Sequence, residues 1–333
     1  MIVAAYFWKR SRQTEKHKGL RRKIERLARA KKRFRRSSVK NREASEALRA
    51  DGDTLRAKIA GLEAAQQAET LAKRTAEQDL AALRSAHDFS PHLAEPFRAF
   101  LRLLKPKAVV GFEKKRIGSL ADGGYVMIDD FADVTHALSA GIGDDVSWDL
   151  DMARRGIKVI QLDHTVAGPP SRHENFDFRP QKVIGDSGEE QGATLVDLIG
   201  KVGAEPGRLI CKMDIEGGEW QALAATPVAS LQAVRQVVIE FHRLRYFVDP
   251  DWRATAEGVL RKLTTSHQCV HVHGNNAVEG IMIGGIPFPD IFEATFVLRS
   301  AYRFSASDET FPTPIDRPNL PQRADTFIGT MDY

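Results

Sequence analysis

Between Thr135 and Ser300, short apolar runs rich in β-branched residues alternate with longer amphipathic segments. This alternation constrains the fold more than any other feature of the chain. It predicts strands at 135–143, 158–165, 181–186, 208–215, 234–242, 268–274 and 293–300. It predicts helices at 147–156, 193–203, 218–226 and 251–266. Strands that take turns with helices form a mostly parallel sheet, with the crossover helices covering both faces. The expected architecture for residues 91–333 is therefore α/β: Rossmann-like, seven-stranded and mostly parallel. Ligands of such sheets bind outside the carboxyl ends of the strands.

Polar residues gather at those ends. Gly141, Gly143 and Asp144 follow the first strand; Asp163 and His164 follow the second. Asp186 and Ser187 close the third, Asp214 and Glu216 the fourth, Glu240 and His242 the fifth. His273 and Asn275 close the sixth. Asp163 lies 20 residues beyond Gly143, the spacing at which an acid meets a nucleoside ribose in Rossmann-like sites. A dinucleotide is disfavoured. The third glycine of that fingerprint would fall at Val146, and a pyrophosphate would face Asp144 and Asp145. Like charges a few ångströms apart cost on the order of several kcal/mol at a partly buried site. S-adenosylmethionine (SAM) reverses the sign, because it carries a sulfonium and an ammonium. The alternative role of Asp144 and Asp145 is to cap the helix beginning near Ser147, which leaves ligand binding open.

The stretch CKMDIEGGEWQAL, with GSLADGGYVMIDD, GIGDDVSWDLDMARRG, QLDHT, IEFH and HVHGNN, resembles the FkbM-type SAM-dependent methyltransferases of the methyltransferase-like 24 branch. The likeness covers roughly residues 108–300. It implies a class I SAM-dependent methyltransferase fold and transfer of a methyl group to oxygen, with a saccharide or glycoconjugate as the acceptor class. Gly141, Gly143, Asp144, Ser147, Asp163, His164, Asp186 and Ser187 are the expected cofactor-binding residues. An alcohol is a poor nucleophile, so a base or a metal is needed. His242 is the first candidate base, since histidine titrates near neutrality, and Asp214 is the second. Asp214, Glu240 and His242 could instead gather a divalent cation such as magnesium, manganese or zinc. Glu216, His273 and Asn275 are the candidate acceptor-binding residues.

The remaining sequence is an arm of different composition. No proline occurs from Thr14 to Asp88, and one heptad phase places Leu20, Ile24, Leu27, Phe34, Leu48, Leu55, Ile59, Leu62, Ala76, Leu80 and Leu83 on its seam. Residues 14–90 are thus expected to form an α-helical coiled coil and to assemble the chain into a homo-oligomer. Polar seam positions such as Lys31, Asn41 and Gln66, and Gly52, weaken it. Residues 1–50 hold 18 Lys/Arg against 4 Asp/Glu, a net of +14. With +5 for the whole chain, residues 51–333 carry −9. A basic arm on an acidic body suits peripheral contact with anionic membrane. Residues 1–13 open with MIVAAYFW, too short to span a bilayer. Two cysteines give no disulfide framework and suggest a cytoplasmic setting, at the inner face of the membrane if the arm binds lipid. Two other functions compete. One is a coiled-coil scaffold carrying an inactive methyltransferase-like domain. The other is a nucleic-acid methyltransferase using the basic arm, which the acidic body argues against.

Overall fold

The computed structural model describes residues 18–32, 52–63, 65, 66, 70, 73, 87–185 and 192–333. The chain divides into two units, Met1–Ala81 and Ala82–Tyr333. The first unit is helical at 18–32 (α1) and 52–63 (α2). Leu20, Ile24 and Leu27 are half-buried on α1; on α2 Leu55 is buried and Ile59 and Leu62 are half-buried. These are the expected seam positions. The Arg21 guanidinium meets Glu63 Oε1 at 3.0 Å. One continuous helix would hold those residues about 60 Å apart, so α1 and α2 lie beside each other. Phe34, Leu48, Ala76, Leu80 and Leu83 lie outside the described residues. Among the described residues no helix is long and apolar enough to cross a membrane.

The second unit opens with helix α3 (Pro91–Leu103), where proline at the first position gives up an N–H that the helix would leave unpaired anyway. Its buried face carries Phe97 and Phe100, whose rings meet Phe247 at 5.0 and 5.2 Å. An antiparallel hairpin follows, β1 (Lys114–Gly118) and β2 (Gly124–Ile128). Its tight turn uses the positive φ of Gly118 and Gly123. The large sheet comprises β3 (His136–Ala140), β4 (Lys158–Leu162), β5 (Phe176–Arg179), β6 (Leu209–Met213), β7 (Val234–Phe241), β8 (His267–Gly274) and β9 (Phe292–Leu298). Its order is β8-β9-β7-β6-β3-β4-β5. All neighbours are parallel except β9, which runs antiparallel to both β7 and β8. This is the mixed, Rossmann-like α/β sheet expected.

Alternation along the strands builds two cores, because successive side chains point to opposite faces. Ala137, Val159, Ile210 and Val238 turn to one face, beneath Trp148 and Met152 of helix α4 (Ser147–Arg154). Leu138, Ile160, Cys211 and Ile239 turn to the other. That face is covered by α3, α5 (Leu195–Val202), α6 (Glu219–Ala225) and α8 (Pro250–Ser266), with the short α7 (Val228–Leu231) between the last two. Strands buried on both faces read as near-continuous apolar runs, which is why they were legible.

One strand differs from expectation. The third strand of the sheet is Phe176–Arg179, not 181–186; Lys182–Ile184 pairs instead with Gly192–Thr194. Pro180 lacks an N–H and interrupts the ladder between them. Asp186 and Ser187 lie outside the described residues. Beyond β9 the chain returns across the sheet. Asp316 meets His271, Asn319 meets Glu293, Asp325 meets His273, and Thr326 bridges Gly274.

Candidate active site

The carboxyl ends of β3, β4 and β6 open on one cleft of roughly 280 Å³. Its floor is the turn after β3. Gly141 has φ +77° and packs so tightly that a Cβ there would sit 1.5 Å from the Asp214 carbonyl oxygen. No other residue type fits. Gly143 also has positive φ (+50°), with open space around its Cα. Asp163 holds this turn. Its Oδ2 accepts the amides of Ile142 and Gly143, both at 3.0 Å, and its Oδ1 accepts the amide and hydroxyl of Thr165, both at 2.7 Å. Burial acts to raise the Asp163 pKa, but the bonds from Thr165, Gly143 and Ile142 outweigh it and keep the carboxyl below its ordinary range.

The two aspartates of the turn divide their work. Asp145 Oδ1 accepts the Ser147 amide at 2.6 Å at the start of α4, while Asp144 is exposed at the cleft. His164 also lines the cleft. Ser147 does not line it; its hydroxyl turns to the Gly123 carbonyl at 3.4 Å. Lys212, in the middle of an apolar strand, was not singled out from sequence. Its buried ammonium donates to the Gly141 carbonyl and lies 5.6 Å from the Tyr125 ring centroid. It faces the fully buried Asp149. Burial raises the pKa of that carboxyl, while Lys212 and the Gln161 amide at 2.8 Å pull it back. A lysine inside a buried run needs such a partner, and that is the signal sequence offered.

Asp214 stands at the far wall of the cleft. The Tyr125 hydroxyl donates to its Oδ2 at 2.9 Å, and both residues line the cavity. Behind it lies His242. Its Nε2 is 3.5 Å from Glu216 Oε2, 3.5 Å from Glu240 Oε2 and 3.9 Å from Asp214 Oδ1. Its Nδ1 is 3.2 Å from Oε1 of the fully buried Glu219. That same oxygen accepts the amides of Ile215 (2.9 Å) and Gly217 (3.2 Å), so Glu219 both braces the turn before α6 and orients the imidazole. Burial lowers the His242 pKa, but Glu219, Asp214 and Glu216 more than offset it and raise the value. Glu240 accepts the Asn275 amide at 2.6 Å; burial and then the charges of Asp214 and Glu293 push its pKa well up. Glu216 is itself in the left-handed region (φ 57°), which throws its side chain into the open, 88 % exposed, at the cleft rim.

The structure thus brings Asp214, Glu216, Glu240 and His242 together, with Asn275 holding Glu240. His273 sits apart. It is fully enclosed, with Nδ1 3.3 Å from Glu293 and Nε2 3.0 Å from Asp325. His271 and His273 are two apart on β8 and share a face, and both meet the C-terminal segment. Burial opposes the charge on His273, but Glu293 and Asp325 raise its pKa to about 10. A histidine raised above its unfolded value of 6.5 stabilises the fold fully below that pH, and its contribution drains as pH rises towards 10. Urea midpoints should therefore fall between pH 7 and 10, and His273→Gln should flatten that slope.

No family model matches the chain, and no curated protein matches it. The likeness to FkbM-type enzymes therefore rests on the quoted motif blocks. Among solved structures that match is the bifunctional kinase-methyltransferase WbdD, at 12 % identity and TM-score 0.25. The match covers 50 % of this chain and 35 % of that one, so the chain spans about a third of WbdD. Another comes from work on conversion of a disulfide bond into a thioacetal group during echinomycin biosynthesis, at 16 % identity and TM-score 0.26. It covers 49 % of this chain and 76 % of that one. Likenesses of this size leave the function to be read from the site.

Proposed function

We propose that the protein is a SAM-dependent O-methyltransferase acting on a hydroxyl of a saccharide or glycoconjugate. One observation carries the cofactor: the cleft at the glycine turn is lined by Asp122, Asp144, Asp145, Asp163, Asp214 and Glu216 against two lysines. A wall of that sign attracts a sulfonium and an ammonium and repels a pyrophosphate. SAM supplies the methyl group; the chain's own residues bind and orient. Gly141 lets the turn approach β6, Asp163 fixes its amides, and Asp144 faces the ligand. The seven-stranded sheet with its reversed β9 is consistent with a Rossmann-like methyltransferase fold. The acceptor would enter beside Asp214 and Glu216, and its proton would leave through the cluster at His242.

The acceptor class rests on the motif resemblance and on the polar, carboxylate-rich rim, which suits hydroxyl donors. The basic arm would join copies of the chain and hold them at an anionic surface such as the inner face of the membrane. The test is transfer from methyl-labelled SAM by the full chain to a panel of saccharides, nucleic acids and proteins. Label on a sugar oxygen supports the reading. Label confined to nucleic acid or protein would replace it.

A further inference from the structure

The geometry points to a divalent-cation site formed by Asp214, Glu240 and His242, which holds and acidifies an acceptor bearing two neighbouring oxygens, such as a vicinal diol. The use of the cation in methyl transfer rests on the transferase reading above; the site itself does not.

Three observations support it. First, one ligand atom from each of the three residues lies within 4.8 Å of the other two. His242 Nε2 is 3.5 Å from Glu240 Oε2 and 3.9 Å from Asp214 Oδ1. Two donors each about 2.2 Å from a common ion are separated by roughly 3.1–4 Å, depending on the angle between the bonds. The two distances from Nε2 are those of ligands around one ion.

Second, the donor atoms face one another. Glu240 is 4 % exposed and spends Oε1 on Asn275, while its Oε2 takes part in no hydrogen bond among the described residues and faces His242. His242 is 6 % exposed, and its Nε2 meets only carboxylates. Its Nδ1 lies against the Glu219 carboxylate, so in the neutral ring Nδ1 carries the hydrogen and Nε2 presents a lone pair. A lone pair aimed at three carboxylates needs a cation or a proton between them.

Third, the surroundings are those of a metal ligand set. A ligating histidine commonly donates its other N–H to a carboxylate, which fixes tautomer and ring orientation. Glu219 takes that place beside His242, and the Asn275 amide donates to Glu240. Glu216, mostly exposed at the rim, supplies a fourth oxygen 3.5 Å from Nε2. Two or three carboxylate oxygens and one imidazole suit manganese or a similar hard-to-borderline divalent ion.

Asp214 lines the cleft, so the open coordination positions face the acceptor. A hydroxyl on the ion loses its proton more readily. The step balances as follows. The hydroxyl oxygen bonds to the methyl carbon as the carbon–sulfur bond breaks, its electron pair going to sulfur. The hydroxyl proton passes to Glu216 or to water at the rim.

The test uses the full chain and manganese(II) alone, without SAM. Electron paramagnetic resonance should show one bound ion per chain, with spin-echo modulation from one coordinated nitrogen. His242→Ala should remove the nitrogen signature and weaken binding tenfold or more. Glu240→Gln should weaken binding while keeping the nitrogen. Glu216→Gln, at an exposed position, serves if either buried variant fails to fold, and should weaken binding several-fold. No binding at millimolar manganese, or binding unchanged in these variants, overturns the site. SAM binding is titrated separately. If manganese binds as stated and SAM does not, the cation site stands and the transferase reading falls.

Discussion

Gly141→Ala is expected to abolish SAM binding and to destabilise the second unit by about 3 kcal/mol. The new Cβ would lie 1.5 Å from the Asp214 carbonyl oxygen and 2.7 Å from its carbon. Neither atom is the end of a flexible side chain. The strand end carrying Asp214 must move, or the turn must, and either shift breaks the hydrogen bond that the Asp214 amide donates to the Ala140 carbonyl (2.9 Å). The positive φ of +77° adds left-handed strain of about 1–2 kcal/mol. Overpacking costs another 1–3 kcal/mol. For a domain of this size that corresponds to a melting shift on the order of 6–12 °C. Gly143→Ala is the control. It meets no protein atom within 4 Å, so its stability should fall by the strain of its φ alone. A Gly141→Ala protein with native stability and native affinity would show that the turn is not seated against β6.

The second large effect is on turnover. His242→Ala should lower kcat by about 10²–10⁴, the usual contribution of a group on which removal of the proton depends. SAM affinity should hardly change, because His242 stands behind Asp214 and does not line the cleft. A mutant that loses SAM binding in parallel with kcat would instead make His242 part of the cofactor pocket. The same residue sets the pH dependence. His242 must be unprotonated to accept a proton or hold a cation, and its pKa is raised above 6.5. The rate should therefore rise with pH through an inflection above that value and then level off. Glu219→Gln should move the inflection down, since the hydrogen bond and then the charge of Glu219 are the largest causes that raise His242.

The parts of this site differ in how far sequence could reveal them. The sheet was legible because strands buried on both faces are continuous apolar runs, and their polar ends stood out against them. Gly141, Asp163, Asp214, Glu240 and His242 stand at those ends, and the 20-residue spacing from Gly143 marks Asp163 further. The third strand was misplaced because FDFR before Pro180 is short and half-polar, while QKVIGD after it looked more like a strand. Glu219 was hidden by its position: an acid at the start of a helix reads as a dipole partner, and only the folded chain shows it reaching Ile215, Gly217 and His242. Tyr125 acts on Asp214 from 89 residues away. Asn319 and Asp325 reach the sheet from the C-terminal segment, and no local pattern announces such contacts. His273, expected at the acceptor, is held between Glu293 and Asp325. There it is one of a row with Glu240 and Glu293, which face each other across paired strands.

The central claim is that the acid-lined cleft takes a cationic nucleoside. Calorimetric titration of the full chain with SAM, and separately with NAD, tests it most directly, each repeated on Asp163→Ala. Micromolar SAM binding that the substitution removes, and no heat from NAD, is the expected result. A folded chain that binds NAD, or that binds neither ligand, would contradict it.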